Sequence, residues 1–251
     1  MTVIFPLEIK CALCGTSTTQ YGLASTNEFG SRDLDLRPAQ MMRSTMHNWV
    51  QQCPNCGLCA ASIDKAPAGA AELVRSPRYQ ALLGDATRMP QLARWFRAQS
   101  LLEERGGDLA SASHAALCAA WACDDARETE AAIDCRNHAI GLFVRAADSG
   151  QSPTDGSERV GRNLVLIDLL RRTSRFDEAR TRCQLVLEAA DPTHRAIAQY
   201  QLTLLDAADT AVHRVDEAKL PESKLPKARA TKARPGARLL GFLGRLIRAR
   251  W

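Results

Sequence analysis

Two pairs of cysteines, Cys11-Ala12-Leu13-Cys14 and Cys53-Pro54-Asn55-Cys56, stand 38 residues apart, and a glycine follows each pair. A two-residue gap lets both thiolates of a pair face one ion. Four thiolates at about 2.3 Å complete a tetrahedral Zn²⁺ shell. Gly15 and Gly57 let the backbone turn away without a Cβ clash, and Pro54 stiffens the second turn. The spacing predicts a small module over residues 1–64 folded around Zn²⁺, with Cys11, Cys14, Cys53 and Cys56 as ligands and residues 16–52 looping out and back. A shell closed by four sulfurs leaves no position for substrate, so the expected metal is structural.

Two other residues compete for that shell. Cys56-Gly57-Leu58-Cys59 is a second CxxC, and His47 offers a ring nitrogen. Both read as bystanders to the four-sulfur set. Thioredoxin-like redox chemistry would place a CxxC at a helix start after a strand in a βαβ unit, and that setting is missing. The remaining cysteines, Cys118, Cys123, Cys135 and Cys183, lie in alanine- and leucine-rich helical sequence, where a thiol packs as a small hydrophobe.

From residue 71 to 210 the pattern is helical. Ser76-Pro77 sets a capping serine before a proline, Gly106-Gly107 stops a stripe of Leu92, Trp95, Phe96, Gln99 and Leu102, and Asp108 or Ser111 starts the next helix. A longer helix is expected over Arg127 to Ala147. Further stripes follow on Leu164, Ile167 and Leu170, on Ala179, Cys183, Val186 and Leu187, and after Asp191-Pro192. Thr45 to Val50 reads as a short strand or extended lead-in to the second cysteine pair.

The run Leu166-Ile167-Asp168-Leu169-Leu170 through Phe176-Asp177-Glu178-Ala179 to Val186 and Asp191-Pro192 resembles one tetratricopeptide (TPR) repeat. Ser174 stands where that repeat usually has glycine, and Leu109–Ala147 resembles a degenerate copy with Ala131 and Ala132 as close-packing residues. The resemblance implies a short stack of helical hairpins; an irregular helical bundle is the other reading of the same stripes. The N-terminal block resembles the DUF2225-type bacterial proteins through Cys11–Cys14, the run Phe29 to Pro38, and Trp49 to Ala60. That likeness implies a zinc-ribbon-like head on a repeat-like body and no activity. The expected fold is therefore mainly α: a zinc-ribbon-like module (1–64), a TPR-like helical-hairpin domain (71–210), a disordered basic linker (211–236) and a basic amphipathic helix (237–251).

The net charge of +5 is unevenly placed: Lys224 to Trp251 holds nine Lys or Arg and no Asp or Glu, which leaves the body acidic. On a helix, Leu239, Phe242, Leu243, Leu246, Ile247 and Trp251 share one side and Arg238, Arg245 and Arg248 the other. Such a segment suits an anionic membrane interface, a groove on a partner, or the chain's own body. Nucleic acid fits less well, because aromatics for base stacking are not interleaved.

No secretory signal and no apolar run of about 20 residues is present, so a cytoplasmic protein is expected, peripheral at the inner face of the membrane if the tail binds there. Asp33 and Asp35, within Arg32 to Pro38, are expected in ion pairs rather than in acid–base chemistry. Cys135 and His138, one helical turn apart, read as packing. No nucleophile elbow, phosphate-binding glycine loop or metalloprotease helix occurs. The expected role is a non-enzymatic adaptor that binds a protein partner, with no small-molecule substrate. The alternative is a zinc-ribbon nucleic-acid binder, which the near-balanced charges of residues 1–64 do not favour.

Overall fold

The computed structural model describes residues 2–151, 155–189 and 191–219. The amphipathic segment 237–251, and the linker from residue 220 onward, lie outside the described residues. The chain divides into two compact units, Met1–Gly30 with Arg37–Ser152, and Ser31–Leu36 with Pro153–Trp251. The division falls inside the helical region rather than at the Lys65–Ala70 connection, and Ser31–Leu36 belongs with the second unit.

The first unit begins with three antiparallel pairs: β1 (Val3–Lys10) with β2 (Ser17–Ser25), β3 (Glu28–Phe29) with β4 (Gln40–Met41), and β5 (Gln51–Gln52) with β6 (Cys59–Ala60). Gly22 faces Phe5 across the first hairpin, and a Cβ there would lie 2.9 Å from the Phe5 ring and from Leu7 Cδ1. Residues Met42–Asn48 form 3₁₀-helical turns, not the strand or extended lead-in expected for Thr45 to Val50. The reason is a side-chain lock: Thr45 Oγ1 donates to the Met42 carbonyl (2.8 Å) and accepts from Trp49 Nε1 (3.0 Å). Only a helical turn brings positions four apart together.

Five helices follow in this unit: α1 (Ala70–Arg75), α2 (Pro77–Gly84), α3 (Gln91–Arg105), α4 (Leu109–Asp125) and α5 (Thr129–Asp148). Helices α3 and α5 both pack on α4, whose alanines 112, 115, 116, 119 and 120 are buried and permit close approach. Ser76 and Asp108 cap their helices as the sequence indicates, accepting from Tyr79 N (3.3 Å) and Ser111 N (2.9 Å).

The second unit contains α6 (Gly156–Arg172), α7 (Phe176–Ala189) and α8 (Pro192–Asp206), packed through Leu164, Ile167, Leu170, Ala179, Cys183, Val186, Leu204 and Leu205. Its largest buried polar group is the Arg171 guanidinium, fully enclosed. It donates to Asp168 Oδ1 (2.6 Å) and to the carbonyls of Asp209 (2.5 Å) and Ala211 (2.9 Å). Burial raises the pKa of Asp168, and the Arg171 charge opposes that rise.

Residues 211–218, placed at sequence level in a disordered linker, are instead held in this unit. Leu34 N donates to His213 O (2.8 Å), Val215 N to Arg32 O (2.9 Å) and Asp216 N to Ser31 Oγ (3.0 Å), and Asp33 bridges Arg214. His213 lies between Asp209 (3.0 Å) and Glu217 (2.8 Å), and its hydrogen bond holds Glu217 down to about 2. The acidic residues of the Arg32–Pro38 run do enter ion pairs, with partners remote in sequence. Asp35, buried, pairs with Arg172 at 3.2 Å, and Arg37 pairs with Asp125.

Helix ends in both units share one device. Gly107, Arg127, Gly150, Ser174 and Ala208 all have positive φ (82, 62, 74, 59 and 49°). In each case the next residue's N–H reaches the carbonyl five positions back: Asp108 to Glu103, Glu128 to Cys123, Gln151 to Ala146, Arg175 to Leu170 and Asp209 to Leu204, at 2.8 to 3.0 Å. Three of these turns are followed five residues on by a buried alanine, Ala112, Ala132 and Ala179. A side chain in the left-handed region costs about 1 kcal/mol, which glycine escapes. Ser174→Gly is therefore expected to stabilise the second unit by about 0.5–1 kcal/mol after allowance for chain entropy. Thermal unfolding checks this: Tm should rise by a few degrees, and Ser174→Val should lower it.

Candidate metal centre

The sulfurs of Cys11, Cys14, Cys53 and Cys56 come together, all within 4.8 Å of one another. Each pair occupies the tip of a hairpin, Cys11–Cys14 between β1 and β2 and Cys53–Cys56 between β5 and β6. The two tips are built alike. Cys11 N donates to Thr16 O (2.9 Å) and Cys53 N to Leu58 O (2.9 Å); Gly15 N donates to Cys11 O (2.9 Å) and Gly57 N to Cys53 O (3.0 Å). Both glycines take positive φ, 74° and 80°, so the residue type that the sequence places after each pair is the one the turn needs.

The tips are held against each other by polar contacts near the sulfurs. Ala12 N donates to Ile63 O (2.8 Å), Ile63 N to Gln51 Oε1 (3.0 Å), and Gln20 Nε2 to Gln52 O (3.1 Å). Across the tips, Cys11 Sγ lies 3.7 Å from Cys56 Sγ and Cys14 Sγ 3.5 Å from Cys53 Sγ. A tetrahedron with metal–sulfur bonds of about 2.3 Å has edges of about 3.8 Å, so the four sulfurs fit one tetrahedral ion.

The sulfurs differ in surroundings. Cys11 and Cys53 are buried, Cys56 is half-buried and Cys14 is exposed. The Thr16 hydroxyl, 3.3 Å from Cys14 Sγ, holds that thiol down to about 5, whereas burial pushes Cys11 and Cys56 up. A cation among them favours the thiolate at all four positions, so metal uptake releases protons and acid opposes it.

The structure sorts the two competing residues. Cys59 is fully buried with its sulfur near the Gly57 carbonyl (3.4 Å), and it is not one of the convergent four. Burial pushes its thiol up to about 12. His47 is exposed, with Nε2 2.9 Å from Asn48 Nδ2, and it too stands outside the cluster.

One supporting residue escaped the sequence reading. Tyr79 of α2, fully buried, accepts from Cys59 N (3.0 Å) and donates to the Gly57 carbonyl (3.2 Å). Leu83, one turn on, presses on Gly57, where a Cβ would approach its Cδ1 to 2.8 Å. The second tip thus rests on α2 through one hydroxyl and one leucine. The signal available was the Ser76-Pro77 helix start, which fixes where Tyr79 falls in the first turn.

Comparison with protein-family models, with curated proteins and with solved structures finds no match.

Changing Cys11, Cys14, Cys53 or Cys56 singly to Ser is expected to abolish stoichiometric metal, while Cys59→Ser and His47→Ala retain it; metal analysis of each purified variant decides. Tyr79→Phe leaves a buried N–H and a buried C=O without their partner, a loss of roughly 1–3 kcal/mol. Urea unfolding of the metal-loaded protein should show that loss, together with faster metal transfer to a chelator.

Proposed function

We propose that this chain is a zinc-stabilised adaptor and not an enzyme, and that its helices present a surface to a protein partner. The observation that carries this reading is the closed shell: four convergent sulfurs fill a tetrahedral ion's coordination and leave nothing for substrate. An all-thiolate tetrahedral donor set suits zinc among the common divalent ions. The resemblance of residues 11–14, 29–38 and 49–60 to DUF2225-type proteins supports a zinc-ribbon-like head.

Helical hairpins in which a left-handed turn residue is followed five positions later by a buried alanine support the TPR-like reading. Such hairpin stacks offer elongated faces to partners. No helix among the described residues is long and apolar enough to cross a membrane. The chain is placed in the cytoplasm, with residues 237–251 docking it to an anionic membrane face through arginines and an apolar stripe.

Sedimentation with vesicles tests the tail. The full chain should pellet with phosphatidylserine-containing vesicles at low salt and release as salt rises, while a chain ending at Lys219 stays in the supernatant. Equal sedimentation of both would end the membrane role and leave the partner role to stand alone.

A further inference from the structure

Among the buried arginines of the first unit, Arg97 is the exception. Arg94 donates to the Leu83 carbonyl, Arg136 pairs with Asp124 and Arg37 with Asp125. Arg97, on α3, makes no hydrogen bond or ion pair among the described residues, and its Nη1 is buried without a partner. The same holds for His138 on α5, whose Nε2 is buried and unpartnered. A buried donor left unmet costs about 1–3 kcal/mol, and more when charged. Two of them acting on each other are not explained by packing.

Their surroundings set the sign of what would satisfy them. The charges acting on this pair are Arg78 of α2, Glu104 of α3, and Asp134 and Arg145 of α5. Glu104 and Arg145 pair with each other. Arg78 and Arg97 are then set against Asp134 alone, a local excess of positive charge. Both Arg97 and His138 keep part of their surface open, so the buried nitrogens lie beside a path to solvent.

We propose that Arg97 and His138 form a binding site for a small oxyanion, a phosphate or carboxylate group that accepts from Arg97 Nη1 and His138 Nε2, with Arg78 adding attraction. A metal ion is excluded at this site by the arginines. Burial, followed by the Arg97 charge, holds His138 down at about 4, so the free imidazole is neutral at pH 7 and carries one ring proton for donation. A bound anion reverses the dominant repulsion and should raise that value.

The test is nitrogen-15 NMR of the histidine side chains in the metal-loaded full chain, titrated with inorganic phosphate and separately with acetate. The expected result is a saturable shift of the His138 Nε2 signal and a rise in its pKa of about one pH unit, with His47 and His194 unmoved. The anion that saturates at lower concentration identifies the oxyanion class. Arg97→Gln should abolish the response. Arg78→Gln, at an exposed position that leaves the core untouched, should weaken it several-fold even if the first variant folds poorly. No His138 response to either anion overturns the proposal. So does an undiminished response in Arg78→Gln, which would mean an adventitious ion only.

Discussion

The first 64 residues have little else to hold them besides the convergence of four sulfurs. β1 and β2 form a two-stranded ribbon whose side chains are mostly exposed or half-exposed, and β3 to β6 are two residues each. Isolated ribbons of this kind are marginal in water. Binding of Zn²⁺ by small thiolate sites contributes about 10–16 kcal/mol at neutral pH, all of it dependent on the folded arrangement. The matched backbone bonds at the two tips, and the three polar contacts that tie the tips together, position the sulfurs for that bonding. Tyr79 and Leu83 then set the second tip on α2, and the first helical layers are arranged upon it.

The helical parts are organised by a different constraint, the need to reverse direction within two or three residues. A single left-handed residue accomplishes this at each of five helix ends, and the bond from the following N–H recovers one carbonyl that the helix would leave unpaired. Close return of the next helix then demands a small side chain, met by Ala112, Ala132 and Ala179. In the second unit the enclosed Arg171 links the end of α6 to the segment that follows α8, because its guanidinium takes carbonyls from Asp209 and Ala211 as well as the Asp168 carboxylate. Removing either side of that contact would leave a buried charge, which is far costlier than losing an exposed pair.

What could be read from the sequence follows from which interactions are local. The cysteine pairs, their glycines, the caps at Ser76, Asp108 and Asp191, and the helical stripes all depend on residues within a turn or two of each other. Their chemistry is visible in spacing alone. Ser174 is instructive: a residue noted only as a departure from glycine takes the left-handed conformation that glycine would have taken. The 3₁₀ turn at Thr45 was hidden because a hydroxyl–indole bond outweighed extended propensity. Tyr79, the Asp35–Arg172 pair and the order of residues 211–218 were out of reach for another reason. Each depends on a partner between 20 and about 180 residues away, and pattern along the chain carries no information about such partners.

The stretch Ser31–Leu36 has its hydrogen-bonding partners at residues 213–216, among the last of the described chain. During synthesis from the N-terminus, this early segment must therefore wait until nearly the whole body has emerged before its backbone groups find their mates. The second unit cannot be finished by its own contiguous helices, and no single cut yields it complete. Vectorial assembly and clean excision of a helical fragment are thus both denied to it: its last closing step joins the earliest and latest parts of the fold, and the loop-closure entropy of that step is borne late.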